Sequence, residues 1–320
     1  VLTGGRICVI CAICGYFVRS LGVLGGFKPA SVAAARFDKR LPFSDNRPKG
    51  GMMNRMIDRL LLIPALLLAV ASLRCPSKAT VSGRPELPKA DLVVAQDGST
   101  DYEEIGEALD DAEEGDIILI KPGVYKEEIE IDEDAGPFTL VGENPTTTVI
   151  DADGEYAAVT LKSSGNRLQG LTIKGGESHG VYIPGGKQKI DYCLIIDNGD
   201  RGIYVSTLEG GGSADINHCT IADNKVSGIY CTNKDDKTTI SNCIFADNKR
   251  SLVYDGDGLN MVVKYTCLHS GNSDSDEAKS GSDNIRRDPK FKDQGNGNYK
   301  LKPGSPCEKA AEDGMNMGCF

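Results

Sequence analysis

The sequence predicts an all-β protein, a right-handed single-stranded parallel β-helix with an N-terminal capping helix. Three observations predict it. The first is a repeat: Leu171, Cys193, Cys219, Cys243 and Cys267 are separated by 22, 26, 24 and 24 residues. Tyr182, Tyr204, Tyr230 and Tyr254 stand eleven positions after the first four, and Asn198, Asn224, Asn248 and Asn272 five after the last four. The second is a set of apolar runs of four to six residues (DIILI, EIEI, FTLVG, TTTVID, AVTL), each closed by Gly, Asn, Asp or Pro, which is strand punctuation. The third is composition: 38 glycines and no tryptophan among 320 residues favour turn-rich β structure over a helical bundle. A unit of this length with three short strands cannot bury its own apolar face, so it must stack on the next. Leucine-rich repeats have a similar period, but their LxxLxL spacing is missing.

Charge divides the chain at about residue 90. Residues 1–90 carry 14 basic and 4 acidic side chains, whereas residues 91–320 have a net charge of −20. The acidic part excludes nucleic-acid binding by an electrostatic footprint, which needs a basic surface. Residues 1–51 have no periodicity and are expected to be an upstream extension of the reading frame. Residues 52–79 carry Arg55 and Arg59 ahead of a 14-residue apolar run, LLLIPALLLAVASL, with Ala69-Val70-Ala71 as a small-residue cleavage pattern. They are expected to form a signal peptide; the run is short for the other reading, a membrane anchor, which needs about 20 residues. Residues 80–90 follow as a linker, 91–280 as the β-helix, and 281–320 as a C-terminal tail packing on the last coils. Export, a mature chain with no membrane span, and a monomer are expected.

Within 91–280, TDYEEIGEALDDAEEG reads as an amphipathic helix over 101–114. Thr100 and Glu103 form a capping box, and Ile105, Ala108, Leu109 and Ala112 share one face. Its expected job is to cover the open edge of the first coil.

The opening VVAQDGSTDYEEIGEALDDA…IILIKPGVYKEEIEI…FTLVGENPTTTVIDADG resembles that of pectin methylesterases and the wider pectin-lyase-like superfamily. The coils INHCTIADNKVSGIY and ISNCIFADN resemble that superfamily's generic repeats. The tail NIRRDPKFKD…GNYKLKPGSPCEKA looks like the ending of exported bacterial β-helix proteins. The resemblance implies the fold; activity varies widely on these coils. The QDTLY-type and GRPW-type segments of pectin methylesterases do not occur in this chain. The positions where polygalacturonases place aspartates hold His179, Arg201, Ser227 and Ser251. An enzyme of this kind would therefore be a polysaccharide lyase or glycoside hydrolase, not a pectin methylesterase.

The resemblance places the Tyr-bearing strand in the sheet that forms a substrate groove, and alternation agrees. In GIYV, Ile203 and Val205 face one side and Tyr204 the other. Tyr182, Tyr204, Tyr230 and Tyr254 are then an outward column at about 4.8 Å spacing. They serve either as a sugar-stacking face, walled by the loops 206–214 and 232–238, or as a self-packing aromatic ladder.

Asp197, Asp223 and Asp247 form a second column, repelling by roughly 1 kcal/mol per neighbouring pair in water. Either Ca²⁺, with Asp197, Asp200 and Asp223 as its ligands, or the side chains Arg201, Lys225, Lys249 and Arg250, or Asx-turn hydrogen bonds must compensate them. His179 and Arg201 occupy equivalent positions on neighbouring coils and are the candidate catalytic pair for a lyase, as base and carboxylate partner. The cysteine column is read as buried thiols, with Cys307 and Cys319 the candidate disulfide. The function read from the sequence is binding, with cleavage as an added activity, of an extracellular polysaccharide along the Tyr face. The alternative is a non-catalytic structural or adhesion module of the cell envelope.

Overall fold

The structure is a computed structural model that describes residues 85–206, 211–232, 237–255, 261–270 and 283–320. The extension, the signal peptide and the start of the linker lie outside the described residues. The rest of the chain winds through three parallel sheets that stack coil on coil.

Sheet A holds β1 (Leu92–Val94), β2 (Ile117–Ile120), β5 (Thr139–Gly142), β8 (Arg167–Gln169), β11 (Gly185–Asp191), β14 (Gly211–Asn217), β17 (Thr238–Ser241) and β20 (Met261–Lys264). Sheet B holds β3 (Gly123–Tyr125), β6 (Thr148–Asp151), β9 (Thr172–Lys174), β12 (Leu194–Ile196), β15 (Thr220–Ala222), β18 (Ile244–Ala246) and β21 (Cys267–His269). Sheet C holds β4 (Ile129–Ile131), β7 (Ala157–Leu161), β10 (His179–Ile183), β13 (Arg201–Val205), β16 (Ser227–Cys231) and β19 (Arg250–Tyr254). The branched side chains of all three face one continuous core, in which Ile118, Leu140, Leu168, Ile190, Ile203, Ile229 and Val263 are fully or almost fully buried. Area removed from water is the main term holding the coils together, at about 25 cal/mol per Å² of apolar surface.

Two columns of left-handed backbone turn the chain at the sheet corners. Gly170, Tyr192, His218, Asn242 and Tyr265 have φ of 70°, 54°, 48°, 58° and 48° between sheets A and B. Asp197, Asp223 and Asp247 have φ of 55°, 56° and 52° between sheets B and C. Each non-glycine residue costs about 1–2 kcal/mol in this region, least for Asp and Asn, whose short side chains bond locally. Stacking identical corners offsets that cost.

The helix α1 spans only Ile105–Asp110, so the capping box at Thr100 and Glu103 is corrected. Tyr102 bridges Val94 in parallel fashion and its carbonyl accepts Ala95 N–H, which holds the preceding chain extended. Thr100 Oγ1 donates to the Tyr102 carbonyl, and Glu127, 21 and 22 residues away, caps the helix instead. Its two oxygens accept Ile105 N–H and Gly106 N–H at 3.0 and 2.9 Å. Ile105 and Ala108 are buried in the core beside β1, as the sequence predicts.

The last coil slips by one residue. Strand β16 pairs Tyr204 with Tyr230, but β19 sets Val253 opposite Tyr230 and Tyr254 opposite Cys231. The turn between Asn248 and Arg250 is one residue shorter than that between Asn224 and Ser227, and strand alternation turns one missing residue into the opposite face. For the same reason Thr266 takes the fourth place in the thiol column, and Cys267 pairs with Ile244. Leu268 faces Phe245.

The tail lies against the sheet B side. The hairpin β22 (Phe291–Asp293) and β23 (Asn298–Leu301) brings Phe291 and Tyr299 into a second apolar cluster with Leu194, Ala222, Ile244 and Cys267. Cys307 and Cys319 are free and buried rather than bridged. Cys307 adjoins Cys267, while Cys319 N–H donates to Thr220 Oγ1 and burial pushes its thiol up to about 12.

Candidate functional site

Two buried polar rows run side by side from coil to coil. The inner row is Asn198, Asn224 and Asn248, each no more than 1% exposed. Asn198 Nδ2 donates to Asn224 Oδ1 at 2.9 Å, and Asn224 Nδ2 to Asn248 Oδ1 at 3.0 Å. The carbonyls of Ile195, Ala222 and Ile221 accept from the same amides. The row is a closed ladder, and the left-handed residue at each corner is the preceding Asp.

The outer row lies on sheet C, where His179 pairs with Arg201 and Arg201 with Ser227. The glycine that follows each, Gly180, Gly202 and Gly228, puts its bare Cα against the core. A Cβ on Gly202 would come within 2.7 Å of the Gly228 carbonyl, 2.8 Å of Ile221 and 2.9 Å of Asn224 Nδ2. Gly and the next branched residue thus both face inward, so that the residue before Gly and the Tyr after it share the outer face. That is the physical reason for the Gly-β-branched-Tyr unit.

On this face Tyr182 and Tyr204 stack at 5.3 Å and 20°, and Tyr204 and Tyr230 meet at 5.5 Å and 55°. Tyr254 is outside the column because of the register slip, packing partly buried against the core. Tyr156, which the sequence reading did not single out, stands edge-on to both His179 and Tyr182 and is 51% exposed. The Arg201 guanidinium lies 4.9 Å from the Tyr204 ring centroid and 4.3 Å from that of Tyr230, and its NH1 pairs with Asp200 at 2.7 Å. Tyr230 donates its hydroxyl to Asp255, and burial together with that bond raises its pKa.

His179 is 2% exposed, not a surface histidine. Burial first, and then the Arg201 charge, pull its pKa down to about 4, so it is neutral at pH 7. Its Nε2 lies 3.2 Å from the Tyr156 hydroxyl. His179 Nδ1, Arg201 Nε and Ser227 Oγ are all buried without a hydrogen-bond partner. Three orphaned polar atoms at successive positions of one row are unusual where nearly all buried polar groups are satisfied.

Two members of the Asp column, Asp223 and Asp247, are met by the C-terminal tail. Gln294 Nε2 donates to both oxygens of Asp223 at 3.0 and 2.9 Å and to Asp247 at 2.9 Å, and the Tyr299 hydroxyl donates to Asp223 at 2.6 Å. Burial and the Asp223 charge raise the pKa of Asp197. Asp200 is turned to Arg201, so Asp197, Asp200 and Asp223 do not converge as a ligand set. Among the described residues no three His, Cys, Asp or Glu side chains group in a way that could hold a metal ion. Parts of both expected groove walls, residues 207–210 and 233–236, lie outside the described residues.

Comparison with known proteins agrees with this architecture. Residues 143–298 match the description of right-handed β-helix regions, and residues 91–172 match that of pectinesterases. Probable pectinesterase 56 of Arabidopsis thaliana is 33% identical over 135 residues, 38% of this chain and 47% of that protein. A pectinesterase of Petunia integrifolia is 46% identical over 66 residues, 19% of this chain and 18% of that protein. The chain thus spans about half, or less, of the length of these curated relatives. Among solved structures, the pectin methylesterase from carrot superposes with a TM-score of 0.48 at 19% identity, covering 59% of this chain and 66% of that one. The chain is a right-handed parallel β-helix. No helix among the described residues is long and apolar enough to cross a membrane.

Proposed function

We propose that this is an exported polysaccharide-binding β-helix protein whose outer sheet C face takes a glycan across Tyr156, Tyr182, Tyr204 and Tyr230. The single observation that carries the reading is the row of unpartnered buried atoms, His179 Nδ1, Arg201 Nε and Ser227 Oγ, beneath that aromatic surface. Rings supply stacking area for a sugar, and the three polar atoms, closed off in the free protein, supply hydrogen bonds that fix its orientation once the rings above them shift. The net −20 of residues 91–320 disfavours a polyanion. A neutral, esterified pectin-type galacturonan fits both that charge and the pectinesterase names of the relatives.

Binding of esterified pectin fragments, measured by calorimetry with and without EDTA, tests the reading. Arg201→Ala and Tyr204→Ala are expected to weaken it by about tenfold or more, equivalent to at least one lost charge-assisted hydrogen bond or stacking contact. Unchanged binding in both variants, with only a lower melting temperature in Tyr204→Ala, would sink it and favour the structural-module reading, in which the rings are a ladder. His179 and Arg201 are the pair for an added lyase activity, His179 as neutral base and Arg201 as partner of the substrate carboxylate. Release of unsaturated oligosaccharides by the wild type but not by His179→Gln reads that activity.

A further inference from the structure

A cavity of about 840 Å³ lies between the corner of sheets A and B and the C-terminal tail. Its size falls within the usual range of small-molecule sites, about 300–1,000 Å³. One wall is the corner column itself, where the rings of Tyr192 and His218 stack in parallel at 4.9 Å and 2°. The next corner position up is Gly170, which carries no side chain, and Asn144 and Pro145 of a preceding coil close that end. Leu301, Met315 and Phe320 of the tail complete an apolar lining.

The rim has the wrong sign for this protein. Lys292, Lys300 and Lys309 line the cavity and no Asp or Glu side chain does, within a segment whose net charge is −20. All three lysines are exposed, and none has an ion-pair partner among the described residues. Other lysines have acidic partners, as Lys264 has Glu312 and Lys187 has Asp215. Asp313 bonds His218 Nε2 at 2.9 Å and holds that ring in the stack without lining the cavity itself. Three lysines that line one cavity with an aromatic wall, without an ion-pair partner among the described residues, select an anion with an apolar ring face. A carboxylate entering the cavity is attracted by all three charges.

We infer that the cavity between Tyr192, His218 and the lysine-rimmed tail is a second ligand site, for an acidic sugar of the uronate class. The sugar ring lies along the Tyr192–His218 wall and the carboxylate toward Lys292, Lys300 and Lys309. This site is independent of the sheet C reading and takes the opposite chemistry, a charged saccharide rather than a neutral one.

The test is calorimetric titration of the full chain with trigalacturonate and, separately, with its fully methyl-esterified form. Trigalacturonate is expected to bind at the cavity, and the double variant Lys292→Glu/Lys300→Glu to weaken it by about a hundredfold, two tenfold steps of about 1.4 kcal/mol each. Lys309→Gln, a milder change in case the double variant folds poorly, is expected to weaken it by about tenfold. Tyr204→Ala should leave trigalacturonate binding unchanged. No binding of trigalacturonate at millimolar concentration overturns the inference. So does binding that survives both lysine variants, or binding lost in Tyr204→Ala. If the esterified form fails to bind while trigalacturonate binds in a lysine-dependent way, the sheet C proposal fails alone.

Discussion

The two buried polar rows differ in one respect: Asn198, Asn224 and Asn248 satisfy one another, whereas His179, Arg201 and Ser227 leave an atom each without a partner. Both rows sit within a few residues of the same corner, and all their members are buried except Arg201, which is half-buried. A buried polar group without a partner costs about 1–3 kcal/mol, so the second row is a standing cost to the fold. The first row repays its burial within the protein and needs nothing else. The second leaves these atoms without such closure, which makes it the candidate for function.

Mutation separates the rows, and the largest effect is expected in the closed one. Asn224→Ala removes two side-chain acceptor contacts and donors to Ile195, Ala222 and Asn248, and should cost about 3 kcal/mol or more of unfolding free energy by denaturant titration. A loss under about 1 kcal/mol would mean that the ladder does not hold the coils together. Gly202→Ala comes next. Its Cβ would press on backbone and ladder together, and about 1–3 kcal/mol of destabilisation is expected, with Asn224 displaced.

The outer row should show its cost through pH. His179 titrates near 4 in the fold against about 6.5 in an unfolded chain. A depressed folded pKa favours the folded state fully above the unfolded value, and that stabilisation is lost as pH falls from about 6.5 to about 4. Asp191 and Asp197, whose pKa values burial raises, act in the opposite direction, losing stability as pH rises through the carboxylate range. The His179→Gln variant should therefore lose less stability than wild type between pH 6.5 and 4.5, measured as melting temperature. Equal slopes in the two proteins would show that His179 is accessible to protons in the fold.

The smallest and most discriminating effect belongs to Ser227. Removing an orphaned hydroxyl relieves its desolvation penalty, so Ser227→Ala should be neutral or up to about 1 kcal/mol more stable, while glycan affinity falls. A variant that is less stable with unchanged affinity would assign Ser227 to the structure after all.

Much of this was legible in the residues. The Cys, Asn and Tyr spacings predict the coil, the Asp-Asn pairs its corner, and Gly-β-branched-Tyr the outer face. Tyr254 and Cys267 were misplaced because each keeps its sequence distance from Cys243 while the turn between them loses a residue. Counting from a landmark carries alternation past a deletion, and hydrogen-bonded register does not. Tyr156 carried no signal, since it lies in a turn outside the repeat. Ser227 held the same repeat position as His179 and Arg201, but nothing local marks its hydroxyl as unpartnered.

By itself the sequence determined the architecture: short-range alternation, left-handed corner residues and a period in the twenties admit little besides stacked parallel coils. The tertiary structure alone decided what meets the Asp column. Gln294 and Tyr299 reach Asp223 from 71 and 76 residues away, along a tail outside the repeat. It also decided that lysines from that tail and rings from the coil corner border one cavity. Periodicity specifies which residues share a face within a coil, because the backbone geometry is local. Where a non-repeating segment lands is set by the shape and charge of the whole assembled surface, which exists only after the coils have stacked.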